Sequence, residues 1–450
     1  MKPLRHHFHH LQRWLLGTLG CLIAGTACAA TIDFTAKLAT PVIKAGQAQT
    51  AYLKVGLTGF ALPAQGERAP ANVAIVIDKS GSMAGDRIER AKEAAVMAVN
   101  GLSANDIVAI LAFDNTVEVV TPATKVSDKA RITSAIHNIR VAGGTGLFAG
   151  VSKGAFEVRK FFDKTRVNRV ILLSDGKANI GPSSPSELGQ LGAMLAREGI
   201  SVTTIGLGTD YNEDLMTQLA AYSDGNHAFV ENSADLARVF QREFGDVGSV
   251  VAQEIELTIR LRRGVRPLRI LGRDGEITDG VVRLRMNQLY SQQEKYVLLE
   301  VQVPPGKVGE NLDLASVDVA YLNLQSKRQD KLSRDVAVSF SASDEAVAKA
   351  LDKKAMVSAV QQVSNQMNKE ALELRDQGKL EEAKQVMQKS ASYLDSNAAT
   401  LGAEAEGALK PQQAATRSQA QTMDSKDSQL WNVQRKKMKE DQFKLDKQQK

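Results

Sequence analysis

Cysteine and histidine are nearly missing from this chain. Of 450 residues two are cysteine, Cys21 and Cys28, and six are histidine, with His6, His7, His9 and His10 in the first ten positions. Only His137 and His227 lie beyond residue 30. Zinc sites built on Cys or clustered His, HExxH metalloprotease chemistry and cysteine nucleophiles are therefore excluded from the body of the chain. Any metal ion there must be held by oxygen.

Long hydrophobic runs are also scarce. The one extended apolar stretch, Trp14 to Ala27, is softened by Gly17, Gly20 and Gly25 and is shorter than the roughly 20 residues that span a bilayer. Basic residues through Arg13 precede it and the small residues Ala27, Cys28, Ala29 and Ala30 follow it. That is the three-part pattern of a secretory signal over 1–30. It predicts export to the periplasm or cell exterior, a mature chain starting near Thr31, and no transmembrane helix in that chain. Gly25, Thr26 and Ala27 make a poor lipobox for Cys28.

An excess of one charge sign is absent from the folded body. The net charge is +6, but Lys2, Arg5 and Arg13 supply +3 of it, and residues 410–450, with ten bases and five acids, supply +5. The middle is thus slightly acidic, at −2. Such a surface has no cationic face for phosphates, which argues against a nucleic-acid partner.

What is present is ordinary soluble protein: 43% hydrophobic and 24% charged residues, enough to bury several cores over two to four folded units. Ala51, Leu53, Val55 and Leu57 alternate with polar neighbours, the period of a half-buried strand. Beyond a Pro/Gly linker, continuous apolar runs at Val73–Ile77, Ile107–Phe113, Val170–Leu173 and Val202–Ile205 are separated by helical segments. Runs without alternation imply strands covered on both faces, so residues 71–247 read as an α/β domain with a doubly wound, mostly parallel sheet. From Ile255 to Phe340 the alternation returns. The strand near Ala51 needs a sheet, so 31–70 and 248–341 are predicted to form one β-sandwich-like domain into which the α/β domain is inserted. Apolar positions at helical spacing, broken at Gly378, predict a helical hairpin over 342–400. The Gln-, Ser- and Lys-rich stretch 401–450 is predicted to be a basic, disordered tail, with Leu430 to Leu445 available as a helix for a partner.

The first α/β strand ends in Asp78-Lys79-Ser80-Gly81-Ser82-Met83. Ligands of such sheets sit beyond the carboxyl ends of the strands, where strand order reverses. Asp175, in Ser174-Asp175-Gly176, reaches the same crevice if the first and fourth strands are neighbours, and the loop Gly143-Gly144-Thr145-Gly146 can bring a hydroxyl there. Two carboxylates and three hydroxyls suit a hard divalent cation, Mg²⁺ above Mn²⁺ or Ca²⁺. The two acids neutralise the ion and the hydroxyls add no charge, so it stays electrophilic toward a carboxylate from another molecule. Taken singly, Asp78, Asp175, Ser80 and Ser82 are as well explained by helix capping, and the glycines by turns.

Together these segments resemble the metal-ion-dependent adhesion site of von Willebrand factor type A domains. The resemblance covers Ala71 to Val247, about two-fifths of the chain, and implies Asp78, Ser80, Ser82, Thr145 and Asp175 as metal-site residues. The flanking layout is similar to exported bacterial relatives of calcium-activated chloride channel proteins and inter-α-trypsin inhibitor heavy chains. The protease segment known in some of the former has no counterpart here.

Three functions remain in view. The first is a non-enzymatic exported protein that grips an Asp or Glu of a protein partner through Mg²⁺. The second is a cell-envelope scaffold that binds through its sandwich or helices without metal. The third is a phosphohydrolase-like enzyme, which fares worst. Ser80 stands where a dehalogenase-type acid would be needed, Ser82 lacks the G-x-S-x-G elbow, and two dispersed histidines are thin material for a triad. No small-molecule substrate is expected.

Overall fold

The computed structural model describes residues 31–62 and 68–449; the predicted leader 1–30 lies outside them. Strands β1 (Asp33–Leu38), β2 (Val42–Lys44) and β3 (Gln49–Thr58) open the described chain. An α/β unit follows: β4 (Ala71–Asp78), α1 (Asp86–Gly101), β5 (Ile107–Phe113), β6 (Val117–Lys125), α2 (Lys129–His137), α3 (Leu147–Arg159), β7 (Val167–Ser174), α4 (Pro185–Arg197), β8 (Ser201–Leu207), α5 (Glu213–Tyr222), β9 (His227–Val230) and α6 (Leu236–Gly248). The chain then returns to strands: β10 (Val250–Leu261), β11 (Arg266–Leu271), β12 (Glu276–Thr278), β13 (Val281–Tyr290), β14 (Glu294–Val303), β15 (Asn311–Asn323) and β16 (Arg328–Ser341). It ends in helices α7 (Asp344–Lys349), α8 (Lys353–Asp376), α9 (Leu380–Leu401), α10 (Ala403–Thr422) and α11 (Ser428–Lys447).

The α/β sheet has the order β6-β5-β4-β7-β8-β9, with only β6 antiparallel to its neighbour. Every residue of β4, β5, β7 and β8 is buried, as expected of strands with helices on both faces. The two faces carry separate apolar layers, Val73, Ile75 and Ile77 on one side and Ala74 and Val76 on the other. Burying each of these valine and isoleucine side chains contributes about 1.5–3 kcal/mol. Helix α3 approaches closely because Gly150 and Gly154 face the sheet; a Cβ on Gly154 would lie 2.7 Å from Val76.

Two antiparallel-rich sheets, β1-β3-β14-β11 and β12-β13-β10-β15-β16-β2, enclose one core that includes Leu53 and Val55 of β3, Ile255 of β10 and Val317 of β15. Strand β3 pairs with β14 along its whole length, from Gln49↔Val303 to Thr58↔Glu294. The strand before the α/β unit thus completes a sheet made after it, and the unit is inserted in the sandwich.

The C-terminus departs from expectation. Gly378, at φ +80°, turns α8 into α9, but the two are only part of a larger helical layer. The stretch read as a disordered tail forms α10 and α11, which pack on α8, α9 and the α/β unit. Composition misled because the burial there is largely polar. Arg435 of α11 pairs with Glu213 and Asp214 of α5 and with Asp376 of α8, and Lys436 is buried against Glu213 at 2.8 Å. The surface that α11 was expected to find on a partner belongs to its own chain. Among the described residues no helix is long and apolar enough to cross a membrane.

Candidate functional site

Strands β4 and β7 are neighbours, with Ile77 opposite Leu173, so Asp78 and Asp175 emerge side by side at the carboxyl edge of the sheet. Asp78 is fully buried. Its Oδ1 accepts from the Ser80 backbone N–H at 2.8 Å and its Oδ2 from the Ser174 hydroxyl at 2.5 Å. Burial pushes its carboxyl up to about 6, against these hydrogen bonds, and the charge of Asp175 adds to the rise. The Ser80 and Ser82 hydroxyls lie 3.0 Å apart, and Ser82 donates to Asp175 Oδ1 at 2.7 Å. Ser82 faces solvent, so the cluster opens outward.

The glycine loop completes the edge. Gly143, at φ +69°, accepts the Gly81 N–H at 3.1 Å through its carbonyl, and the Gly146 N–H reaches the Asp114 carbonyl at 2.8 Å. Two asparagines clamp the loop: Asn115 Oδ1 accepts the Gly144 N–H at 2.5 Å, and Asn179 Oδ1 accepts the Thr145 N–H at 2.8 Å. A Cβ on Gly176 would sit 2.8 Å from Thr145 Oγ1 and 3.5 Å from Ser82 Oγ. The missing side chain lets the two hydroxyls border one space. Asp78, Ser80, Ser82, Thr145 and Asp175 are thus all at one edge, four of them in a continuous hydrogen-bonded chain.

The donor set fits a hard cation. All five side chains offer oxygen, two of them carboxylate, and burial raises the Asp78 carboxyl, a cost that a cation would relieve. Among the described residues no group of three or more His, Cys, Asp and Glu is placed to hold a metal.

Four neighbours carry no signal in the site motifs. Three are Ser174 and the clamping asparagines Asn115 and Asn179. The fourth is Arg87, in the first turn of α1, which donates to Asp175 Oδ2 and lies 3.7 Å from Asp210. A cation in a first helical turn opposes the helix dipole, and that signal was available. Lys79, beside the site, is ion-paired with Asp114 at 3.4 Å and Glu118 at 3.2 Å. Burial acts to lower its ammonium, and these acids outweigh that and raise it. His137 ends α2 and is exposed, whereas His227 is buried at the start of β9, its Nδ1 2.9 Å from Thr204 Oγ1. The sequence Gly150-Val151-Ser152-Lys153-Gly154 lies in the middle of α3 and makes no strand-to-helix elbow.

Comparisons with known proteins agree with the fold of the α/β unit. Residues 72–242 match the family model of the von Willebrand factor type A domain. A protein of Synechocystis is 26% identical over 276 residues, covering 59% of this chain and 65% of its own length. Bovine calcium-activated chloride channel regulator 1 is 29% identical over 191 residues, or 41% of this chain and 20% of that protein. Human inter-alpha-trypsin inhibitor heavy chain H2 is 23% identical over 208 residues, or 44% and 22%. The chain therefore spans less than two-thirds of the length of each of these relatives. The solved von Willebrand factor type A structure from Catenulispora acidiphila superposes with a TM-score of 0.67 at 16% identity, covering 82% of this chain and 88% of that one. Residues 72–242 are thus a von Willebrand factor type A domain, inserted in a β-sandwich and followed by a helical layer.

Proposed function

We propose that this protein captures a protein partner at the carboxyl edge of its α/β sheet, through a divalent cation held by Asp78, Ser80, Ser82, Thr145 and Asp175. The observation that carries the reading is the convergence of three separated segments on one oxygen-lined space beneath Gly176. Helix capping would account for one segment and leaves the other two unexplained. Proteins of this family are known for protein–protein interaction, which favours a binding role over catalysis. Bound there, Mg²⁺ would supply a Lewis-acidic position for an Asp or Glu carboxylate of the partner. Asp78 and Asp175 contribute the two negative charges, Ser80, Ser82 and Thr145 contribute neutral oxygens, and Asn115 and Asn179 hold the Thr145 loop in place. The signal-like residues 1–30 support action outside the cytoplasm, in the periplasm or at the envelope.

The test is a pull-down from an envelope extract with Mg²⁺ and with EDTA, followed by replacing each acid of a captured partner with its amide. A single essential acid and loss of capture in EDTA support the reading. Capture indifferent to both moves the contact to the sandwich or the helical layer and overturns it.

A further inference from the structure

Helix α11 lies far outside the α/β unit in sequence, yet it holds two of the loops at the carboxyl edge of that unit's sheet. In the loop between β8 and α5, Asn432 Nδ2 donates to the Thr209 carbonyl at 2.8 Å. Where the loop enters α5, Lys436 reaches Glu213 at 2.8 Å, and Arg435 and Lys439 reach Asp214 at 2.7 and 2.8 Å. In the loop after β9, Lys437 pairs with Glu231 at 2.7 Å.

The same two loops meet the first turn of α1. Asp210, next to Thr209, lies 3.7 Å from the Arg87 guanidinium. A Cβ on Gly208 would lie 3.1 Å from Arg87 Nη2, so this loop packs directly against the group. Ser233, two residues past Glu231, donates to Asp86, the neighbour of Arg87. Arg87 itself donates to Asp175 Oδ2. An unbroken path of three contacts therefore runs from Asn432 through Thr209 and Asp210 to Arg87 and Asp175. Arg87, Gly208, Glu231, Asn232 and Ser233 border a cleft of about 370 Å³, which gives the guanidinium space to turn away from Asp175 once the loop no longer holds it.

We infer that α11 restrains the metal site: by pinning the β8–α5 loop it keeps Arg87 on Asp175 and so weakens divalent-cation binding there. The inference rests on the reading of Asp78, Ser80, Ser82, Thr145 and Asp175 as metal ligands proposed above. A guanidinium bonded to one of the two carboxylates partly neutralises it and sets a like charge beside an arriving cation. Drawing α11 off the loop removes that opposition, so the docked helix is an autoinhibitory contact. The coupling is reciprocal: a cation that displaces Arg87 loosens the hold of α11 by the same factor.

Mg²⁺ calorimetry on the full chain as wild type, Asn432→Leu, Arg87→Gln and the double variant tests this. Asn432→Leu keeps the bulk, leaves Lys436 its Glu213 partner and removes the hold on Thr209. It is expected to tighten Mg²⁺ by roughly threefold, the scale of one hydrogen bond. In the Arg87→Gln background the same change is expected to do nothing, because the brace has no guanidinium left to hold. Hydrogen exchange on the wild type gives a readout that needs no variant to fold: the α11 amides around Asn432 are expected to exchange faster in Mg²⁺ than in EDTA. Wild-type affinity in Asn432→Leu, α11 exchange indifferent to Mg²⁺, or equal tightening with and without Arg87 each overturn the inference while leaving the metal site in place. A wild type that binds no Mg²⁺ removes the metal reading and the inference together.

Discussion

Arg87 shares Asp175 with Ser82: the guanidinium donates to Oδ2 while the Ser82 hydroxyl donates to Oδ1 at 2.7 Å. One carboxylate of the proposed metal site is thus already partly neutralised by a cation from the chain itself. A divalent ion arriving at the hydroxyls would meet like charge nearby. Arg87→Gln should therefore tighten Mg²⁺ binding, on the order of tenfold for a charge this close. Calorimetry decides, and an unchanged or weaker affinity would mean that Arg87 serves to orient Asp175.

Gly176 leaves room for Thr145. A Cβ there would crowd Thr145 Oγ1 at 2.8 Å, forcing the hydroxyl away from the space it shares with Ser82. Gly176→Ala should weaken Mg²⁺ binding without unfolding the domain, because the glycine lies at the open end of the sheet. Paired measurements of metal affinity and thermal midpoint check both halves.

His227 gives the fold an acid-sensitive element. Burial, helped by the nearby Lys444, pushes its imidazole down from 6.5 to about 3. The unfolded chain takes up the proton first as pH falls, so the stability contributed by the neutral form is complete above 6.5 and is lost on the way toward 3. Between pH 6.5 and 5 this costs the wild type about 2 kcal/mol. His227→Gln, compared by urea denaturation at the two pH values, should lose less over that interval whatever its starting stability. Equal losses would refute the assignment.

Glu213 anchors the C-terminal helix. It accepts from Lys436 at 2.8 Å and from Arg435, and both acid and lysine are nearly buried. Glu213→Ala would leave the Lys436 ammonium buried without a carboxylate, with Asn432 Oδ1 at 2.9 Å and the Tyr211 ring 5.0 Å away. Removing one partner of such a pair costs about 3–5 kcal/mol. Denaturant midpoints should fall accordingly, and limited proteolysis should cut within α11. A variant with a wild-type midpoint and a protected α11 would show that the contact is dispensable.

The parts that were legible in the sequence are those with a local signature. The runs ending at Asp78 and Ser174 are apolar throughout because β4 and β7 are covered on both faces, and their polar ends mark the site. The alternation at Ala51–Leu57 demanded a sheet, and β14 supplies it. What stayed hidden depends on residues far apart in the chain. Nothing within 401–450 announces that Arg435 and Lys436 meet Glu213 and Asp214 some 220 positions earlier, and charged side chains read as solvated unless their partner is known. The surroundings of Lys79 were hidden for the same reason, since Asp114 and Glu118 reach it only through the pairing of β4, β5 and β6.

If Asp78, Ser80, Ser82, Thr145 and Asp175 hold a divalent ion that the fold does not require, Mg²⁺ titrated into the wild-type chain and into Asp78→Asn, with circular dichroism on both, should show it. One Mg²⁺ site is expected in the wild type, no measurable site in the variant, and the same spectrum for the two proteins. Mg²⁺ bound by Asp78→Asn with wild-type affinity would contradict it.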